Sequence, residues 1–281
     1  LAVLQPDDKQ YLFLPLAHAF AKVLEIGFIR LGVPTVVDGD IDGLIENLQE
    51  TKPTVMGAVP RIFEKAYNKI LAGAQEAGGR KLRIFNWAMG VGRQVSAIRL
   101  EGKEPRGLLA AKYRLAHKLV FSKFQTVFGG RIKYFVSGGA PLSKEIAAFF
   151  HAADILILEG YGLTESSAAS FVNRPEAYRF GSVGLPAPGV EVKIAEDGEV
   201  LLGGRGIMKG YYKQPKATQK ALNEEGWLHT GDIGSLDNGF LRITDRKKDI
   251  IVTSGGKNIA PQNFENALKA QSRWVSQVVM H

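Results

Sequence analysis

The alternation of short apolar runs with longer stretches of helical periodicity constrains the fold of this chain most strongly. The strand-like runs in the first part of the chain span 12–14, 33–37, 54–58, 132–136 and 155–158. Between them, Ile62, Phe63, Ala66 and Tyr67 recur at helical spacing after Pro60, a residue that suits the first turn of a helix. Strands that alternate with helices favour a largely parallel sheet covered on both faces. We therefore expect an α/β fold, with the parallel sheet layered between helices.

Further helices are predicted by the same spacing. They run from 19 to 29, from Asp40 to about Glu50, over 82–100 and 108–128, and from Ser143. In the 108–128 helix, one set of apolar residues is expected to face inward: Leu108, Leu109, Leu115, Leu119 and Phe124.

From Val183 onward, short strand-like segments separated by turn residues replace the alternation of strands and helices. Short strand-like segments at 190–194 and 199–202 are bounded by Asp-Gly and Gly-Gly pairs, and Asn238-Gly239 is typical of a hairpin turn. This pattern predicts a small antiparallel β subdomain over 183–245, following an α/β part over 1–182. After Asp245 the pattern reads strand, Gly-Gly loop, strand and a helix from about Pro261. It predicts an α+β segment over 246–281.

The positive charge of the chain is concentrated in one region. The net charge is +8, but residues 80–133 hold 13 Lys or Arg and only Glu101 and Glu104 as acids, which makes this region +11 and leaves −3 for the rest. A nucleic-acid-binding region would need aromatic platforms or a recognisable module, which the basic region lacks. Three alternatives are left for the basic region: it contacts an anionic membrane surface, it binds the phosphates of a small ligand, or it is simply exposed to water. We expect salt-sensitive peripheral contact with a membrane.

One nine-residue stretch, Glu159 to Ser167 (EGYGLTESS), combines features of a ligand site. Two glycines flank Tyr161, so the backbone can turn sharply or approach a ligand closely there. Thr164 and Glu165 follow with hard oxygen atoms of the kind that suit Mg²⁺ and phosphate. Taken alone, the stretch fits an ordinary strand-to-loop turn with a buried tyrosine equally well.

Three other stretches occur around it in a fixed order. They are Pro15-Leu16-Ala17-His18, Leu228-His229-Thr230-Gly231-Asp232, and Asp245-Arg246-Lys247-Lys248-Asp249-Ile250-Ile251. With Gly-Tyr-Gly-Leu-Thr-Glu, these motifs resemble the signatures of the adenylate-forming enzymes, which include acyl-CoA synthetases, peptide-synthetase adenylation domains and luciferases. The sequence from Val252 to Pro261 (VTSGGKNIAP) most closely resembles that of the long-chain fatty acyl-CoA synthetases.

The resemblance implies a nucleotide site. It places Gly138, Gly139 and Ala140 beside adenine, the ring of Tyr161 against the adenine face, Thr164 at the α-phosphate, Glu165 on Mg²⁺ and Asp232 on the ribose hydroxyls. From their residue types alone, a glycine loop before a helix is more often a tight helix entry, and an aspartate after glycine is more often a turn residue. The implied nucleotide-binding residues are Gly138, Gly139, Ala140, Glu159, Gly160, Tyr161, Gly162, Thr164, Asp232 and Arg246.

The resemblance also implies residues for a second reaction step. Lys248 matches the hinge about which the family's small domain rotates, and Gly255, Gly256 and Lys257 match the loop that reaches the active site for the CoA step. His18 matches a histidine near the acyl carboxylate, and we count it with Thr164 and Glu165 as catalytic. A lone histidine after a strand is also a common structural residue, and a Gly-Gly loop between strands is also a plain hairpin.

The implied activity is ATP-dependent activation of a long-chain fatty acid to acyl-AMP, followed by transfer to CoA. ATP, Mg²⁺ and CoA are the implied cofactors and co-substrates. Alternatives are a fatty acyl-AMP ligase, another acid–CoA ligase, or a nucleotide- or lipid-binding fragment without turnover. The family's phosphate-binding loop and C-terminal lysine have no counterpart between Leu1 and His281, so we expect the isolated fragment to be inactive. The absence of cysteine fits a cytoplasmic protein, peripheral on the inner face of the membrane.

Overall fold

A computed structural model describes most of the chain. The described residues are 4–5, 7–252, 258–259, 261, 264, 265, 268, 275, 278 and 280. By their internal contacts they fall into two compact units, Leu1–Leu158 and Glu159–His281. Each unit is described by itself.

The first unit alternates strands and helices, as predicted. Its strands are β1 (Gln10–Leu12), β2 (Thr35–Val37), β3 (Val55–Ala58), β4 (Tyr134–Ser137) and the first residues of β5 (Ile157–Tyr161). Its helices are α1 (Ala19–Leu31), α2 (Leu44–Thr51), α3 (Pro60–Ala77), α4 (Gly79–Leu100), α5 (Gly107–Ala116), α6 (Ser122–Val127) and α7 (Lys144–Ala152), with a π-helical turn at His117–Phe121.

The sheet of the first unit is parallel. Its order is β2-β1-β3-β4-β5, with Gln10 opposite both Thr35 and Val55, and with Val55 opposite Tyr134. Every connection between these strands passes through at least one helix, as parallel pairing requires. The expected parallel sheet layered with helices is confirmed.

Aromatic side chains fill the space between this sheet and its helices. The ring of Phe63 on α3 meets Phe135 of β4 edge-to-face, with centroids 5.3 Å apart, and Phe128 meets Phe135 at 5.0 Å. Phe150 of α7 lies 6.2 Å from Phe63. Offset and edge-to-face pairs of this kind add to the free energy gained from burial.

The second unit is built mainly from antiparallel strands. They are β6 (Phe171–Val172), β7 (Leu185–Pro186), β8 (Val190–Ile194), β9 (Glu199–Gly204), β10 (Leu228–Asp237), β11 (Phe240–Arg246), β12 (Ile251–Val252) and β13 (Asn258–Ile259). Beside them lie α8 (Pro215–Ala221) and 3₁₀ turns at Thr164–Ser166 and Lys247–Asp249. β5, β6 and β7 pair in that order, and β11-β10-β9-β8 form a four-stranded sheet. The expected antiparallel part is therefore confirmed.

Turn chemistry sets the register of the four-stranded sheet. Asn238 and Gly239 both have positive φ, as the tight turn between β10 and β11 requires, and Asp237 pairs with Phe240 across it. Phe171, Val200, Leu202, Leu228 and Leu241 are buried together as the core of this unit.

Two predicted strands are wrong in their bounds. The run 12–14 was expected as a strand, but β1 covers Gln10–Leu12; the run 155–158 was expected to end before Glu159, but β5 continues through Tyr161. Ile155 is buried without being part of a strand. An apolar run reports burial, whereas strand bounds depend on which backbone groups find partners.

The helical stretch predicted over 108–128 is confirmed: α5, a π-helical turn at His117–Phe121 and α6 follow one another without a gap from Gly107 to Val127. The expected inward set of apolar residues is wrong, because its leucines do not all face inward. Leu108, Leu115 and Leu119 are 72%, 50% and 40% exposed. Tyr113, Ala116, Val120 and Phe121 occupy the buried face instead. Leucine spacing alone did not distinguish the two faces, because residues of both faces recur at helical intervals.

No helix among the described residues is long and apolar enough to cross a membrane.

A polar cluster joins α4, α5 and the end of α7. The guanidinium of Arg99 donates to Asp154 at 2.8 Å and to the hydroxyl of Tyr113 at 3.2 Å, and His117 lies 3.5 Å from Asp154. Burial opposes ionisation of Asp154, but hydrogen bonds from Tyr113 and Arg99 outweigh it and lower the pKa of this carboxyl. Ionised Asp154 therefore stabilises the folded state.

We expect Asp154→Asn to lower the free energy of unfolding by about 1–3 kcal/mol at neutral pH, because it removes a charged partner from a half-buried cluster. A lowered pKa stabilises the fold above the ordinary aspartate value of about 3.9, and this stabilisation is lost as the pH falls through the lowered folded-state pKa. The difference in Tm between the two proteins should thus shrink on acidification below about pH 4.

The matched control is Asp237→Asn, which breaks an exposed ion pair of the same length, 2.8 Å, with Arg179. Exposed pairs contribute about 0–1 kcal/mol, so its Tm should stay near that of wild type. Equal losses in the two variants at neutral pH would contradict a stabilising role for the Arg99–Asp154 cluster.

Candidate functional site

Asp232 is a buried polar side chain of the second unit with two charged or polar partners. Its carboxylate is almost fully buried, accepts a hydrogen bond from the Tyr161 hydroxyl at 2.6 Å through Oδ2, and pairs with Arg246 Nε at 3.0 Å through Oδ1. Burial raises the pKa of Asp232 above its ordinary value, although Tyr161 and Arg246 both oppose that shift. Three sequence-predicted site residues are thus brought into direct contact.

The backbone before Asp232 is shaped by its neighbours in β9 and β10. The pairing of β10 with β9 is irregular between His229 and Ile233, and Gly231 lies there with a φ of +70°, which favours glycine. The Thr230 hydroxyl donates to Val200 O at 2.7 Å and accepts from Asp232 N at 3.1 Å. This bulge turns the Asp232 side chain toward Tyr161 and Arg246.

Glu199 fixes the same bulge from the adjacent strand. It is buried, and its carboxylate accepts hydrogen bonds from Gly231 N and from Lys247 Nζ, both at 2.9 Å. The carboxylate also lies 3.2 Å from His229 Nδ1. Burial opposes ionisation of Glu199, but these partners, Lys247 foremost, lower its pKa. Lys247 also pairs with Asp197 at 2.6 Å, so the turn after β11 is tied to β9.

A basic cavity opens beside these groups. Its volume is about 420 Å³, and Thr230, Gly231, Arg246, Lys247 and Lys248 line it. This volume lies in the range of small-ligand sites. Two of the three cations on its wall, Arg246 and Lys247, are already paired with carboxylates.

The segment Thr164–Ser170 is wound tightly. Ser166 Oγ bonds to both the N–H and the carbonyl of Leu163, and Ser170 Oγ donates to Ser166 at 2.8 Å. Ser167 Oγ donates to Gly206 O at 2.7 Å and Met208 N donates to Glu165 O at 2.8 Å. Thr164 itself is exposed. The segment is therefore held from both sides, with Thr164 presented to solvent.

The Glu165 carboxylate accepts from the Tyr211 hydroxyl at 2.8 Å through Oε1. This contact raises the pKa of Tyr211. No group of three or more acidic or histidine side chains suited to a metal ion occurs among the described residues. A single carboxylate still suits Mg²⁺, which is usually bound by one or two carboxylates together with water and substrate phosphates. The residues present therefore fit a magnesium ion that arrives with a phosphate ligand.

Gly162 is required by close backbone packing. A Cβ at this position would lie 1.2 Å from Ala168 O, which excludes any side chain. Ser167 and Ala168 have φ values of +58° and +79°, so the backbone is strained where it folds back on Gly162. Glu159, Gly160 and Tyr161 precede this point as the end of β5, and Glu159 is buried.

The remaining predicted nucleotide residues belong to the first unit. Gly138 and Gly139 follow β4, and Gly139 has a φ of +81°. A Cβ on Gly138 would lie 3.3 Å from the Phe20 ring, so a larger residue there would press on α1. Ala140 is exposed. His18 is the N-cap of α1, and its Nδ1 accepts from Phe20 N at 3.2 Å, a structural role for this side chain.

The residues proposed for the second reaction step are described only in part. Lys248 is exposed in the 3₁₀ turn Lys247–Asp249 and lines the same cavity as Arg246, whereas Gly255, Gly256 and Lys257 lie outside the described residues. Conversely, the motifs did not single out Glu199, Tyr211 and Lys247 as contact residues. Lys247 lies inside a recognised motif, but no sequence signal connects Glu199 or Tyr211 with partners 32 and 46 positions away.

Residues 2–212 match the AMP-binding enzyme family. The long-chain-fatty-acid–CoA ligase FadD15 of Mycobacterium bovis is 40% identical over 279 residues, which are 99% of this chain and 46% of that protein. The human long-chain-fatty-acid–CoA ligase ACSBG2 is 36% identical over 95% of this chain and 41% of its own length. The chain thus spans about half the length of the curated relatives it matches.

Solved structures show the same fold. The adenylation domain of a carboxylate reductase from Mycobacterium chelonae aligns with a TM-score of 0.71 and 23% identity, over 95% of this chain and 39% of that chain. The O-succinylbenzoate CoA synthetase of Bacillus subtilis, in complex with ATP and magnesium, aligns with a TM-score of 0.64 and 22% identity, over 95% and 47%. With the family match covering most of its residues, this chain belongs to the AMP-binding enzyme family.

Proposed function

We propose that the whole protein containing this chain is a long-chain fatty acid–CoA ligase. A fatty carboxylate attacks the α-phosphorus of ATP, the bond to the β-phosphate breaks, and acyl-AMP and pyrophosphate form. The thiol of CoA, after loss of its proton, then attacks the acyl carbon and AMP leaves. The Tyr161–Asp232–Arg246 contact carries the proposal, because it joins three residues from separate motifs, each of which the resemblance assigns to nucleotide binding.

The recognition of adenosine follows from the acceptor capacity of Asp232. A carboxylate offers about four lone-pair sites, and each Asp232 oxygen has one partner, Tyr161 or Arg246. Two sites are left for the ribose hydroxyls. The hydroxyl bond fixes the Tyr161 ring, whose face would take adenine. The resemblance assigns Gly138, Gly139 and Ala140 to adenine as well. Glu159, Gly160 and Gly162 shape the backbone around that ring.

The phosphates would be met by Thr164 and Glu165. Attack on phosphorus increases negative charge on the phosphate oxygens, which hydroxyl donors and a bound cation stabilise. Glu165 would hold Mg²⁺, and the ion would neutralise phosphate charge when bound. The Tyr211 hydroxyl orients the Glu165 carboxylate, and the Thr164 hydroxyl is exposed and able to donate to an α-phosphate oxygen. His18, beyond its capping role, would border the acyl carboxylate.

The residues after β11 would serve the CoA step. We propose Lys248 as a hinge and Gly255, Gly256 and Lys257 as the loop that approaches the acyl group, within a small domain over 246–281. The preceding parts would be the α/β part over 1–182 and the β-rich part over 183–245. The Lys247–Glu199 bond supports this division, since it anchors the chain immediately before the proposed hinge.

The basic region 80–133 would contact an anionic membrane at its cytoplasmic face. Lys112, Arg114, Lys118 and Lys123 are exposed, and the anionic leaflet attracts such residues by about 1 kcal/mol each near the surface. A long-chain acid partitions into lipid, so this contact would place the enzyme where its substrate is concentrated.

A single assay series separates the ligase from its alternatives. Full-length protein is given Mg-ATP and fatty acids of several chain lengths, with and without CoA, and AMP, pyrophosphate and acyl-CoA are measured. We expect pyrophosphate release with fatty acid and acyl-CoA only when CoA is present. Acyl-AMP that does not pass to CoA would indicate an acyl-AMP ligase, and nucleotide binding without turnover would indicate a binding protein.

We expect Asp232→Ala to weaken AMP binding by about 10- to 100-fold, because a hydrogen bond to a charged group contributes about 1.5–3 kcal/mol. Wild type should bind 2′- and 3′-deoxyadenosine monophosphate more weakly than AMP, whereas the variant should no longer distinguish them. The control is Asp237→Ala, an exposed aspartate at the end of the same strand. Unchanged AMP affinity in folded Asp232→Ala would exclude the ribose role.

We expect Glu165→Gln to reduce ATP–pyrophosphate exchange by about 10²–10³-fold, since it removes a charge proposed to act through Mg²⁺. Tyr211→Phe, which removes only the orienting hydroxyl, should cost less and should raise the Mg²⁺ concentration needed for half-maximal exchange. Glu191→Gln, an exposed position on β8, is the matched control. Normal exchange by Glu165→Gln at low Mg²⁺ would remove Glu165 from the metal site.

A further inference from the structure

We propose that three exposed leucines on α5 and the following π-helical turn insert into the lipid leaflet and anchor the protein there. This inference rests on the proposed membrane contact and deepens it, from attraction by charge to interfacial insertion. The surface in question consists of Leu108, Ala111, Lys112, Leu115, Lys118 and Leu119, and we call it the leucine–lysine face.

The face is continuous and exposed. Its members in α5 recur at helical spacing, from Leu108 to Lys112 to Leu115, and Leu119 continues the row within the π-helical turn. All six residues are exposed, with Leu108 at 72% and Leu115 at 50%. The opposite face of these turns is buried through Tyr113, Ala116 and Val120. The leucines are thus not displaced core residues, because the core side of the helix is already occupied.

The charge of the face is unpaired by protein. The two acids of the region pair elsewhere, Glu101 with Lys103 and Glu104 with Arg99. Within the described part of the chain, no acidic side chain forms an ion pair with Lys112, Arg114, Lys118 or Lys123. The leucine side chains, whose burial away from water is favourable, therefore lie among cationic groups, whose contact with anions is favourable.

An anionic lipid surface satisfies both requirements at once. Lysine ammonium groups reach the headgroups on flexible stems while leucines enter the acyl boundary, which is the arrangement of interfacial helices. A second copy of this chain would oppose like charges, which is unfavourable. A covering protein segment would bury lysines, which are depleted in the cores of protein interfaces. The combination of residues therefore favours lipid.

The experiment measures binding of the full-length protein to vesicles of phosphatidylglycerol and phosphatidylcholine, and to phosphatidylcholine alone, across a salt series. Three variants are compared with wild type. They are the leucine variant (Leu108→Gln, Leu115→Gln, Leu119→Gln), the charge variant (Lys112→Gln, Arg114→Gln, Lys118→Gln, Lys123→Gln) and the control (Ile194→Gln, Leu236→Gln). The control residues are 36% and 40% exposed and lie in β8 and β10.

Wild type should bind mixed vesicles, and part of that binding should persist at about 1 M salt, where the screening length is about 3 Å. The leucine variant should bind about tenfold or more weakly at every salt concentration, and it should lose the salt-resistant part. The charge variant should lose the salt-dependent part. The control should match wild type, and all four proteins should share one Tm and one rate of ATP–pyrophosphate exchange with a water-soluble short-chain acid.

Each other outcome overturns a specific claim. If the leucine variant binds like wild type while the charge variant does not, the contact is electrostatic and insertion is wrong. If wild type does not bind vesicles but forms acyl-AMP, the membrane proposals are wrong and the ligase proposal is unaffected. If wild type is a dimer by analytical ultracentrifugation and the leucine variant a monomer, the face joins two copies. Failure of ATP–pyrophosphate exchange in wild type would affect the ligase proposal alone.

Discussion

The buried carboxylate of Asp232 is the constraint around which the second unit is arranged. An ionised carboxylate out of water is unfavourable unless its oxygens are paired. Tyr161 at the end of β5 and Arg246 at the end of β11 each supply one donor, so the ends of these two strands meet the middle of β10 at this residue. The same requirement recurs at Glu199, whose partners Gly231 and Lys247 lie next to Asp232 and Arg246 in the chain. Two buried carboxylates on neighbouring strands, Asp232 and Glu199, thus fix both the bulge around Gly231 and the end of β11 with the turn that follows it.

The fold was predictable as far as local pattern determines it. The βα alternation and the Asn238-Gly239 turn predicted the parallel and antiparallel parts, because both patterns restrict the backbone directly. The end of β5 was not predictable, since Glu159, Gly160 and Tyr161 join the strand through backbone pairing with β6 that no apolar run records. The π-helical turn was missed for a similar reason. Five residues are too few for a change in helical period to appear in the sequence.

The candidate site was predictable only where its residues fall in motifs. Tyr161, Asp232 and Arg246 were proposed from the resemblance, and from residue type alone an aspartate after a glycine is more often a turn. The contact partners Glu199 and Tyr211 carry no such motif, and their roles depend on the close approach of distant segments. Gly162 lies between these cases. A glycine there suggested close approach, but the atom that requires it, Ala168 O, was not identifiable without the fold.

The exposed apolar residues of the first unit separate into two kinds, and the difference lies in their charged neighbours. Ile26 and Ile29 on α1 are exposed beside Lys22 and Glu25, which pair with each other, and beside one further cation, Arg30. The leucines of α5 are exposed among several lysines and arginines without acidic partners. Burial against protein costs less for the first kind, because fewer unpaired charges have to be desolvated. For the second kind, burial is unfavourable unless the covering surface brings negative charge. A lipid leaflet meets this requirement, because its headgroups are anionic and its acyl region is apolar, so a lysine can meet the headgroups while a leucine enters the acyl region.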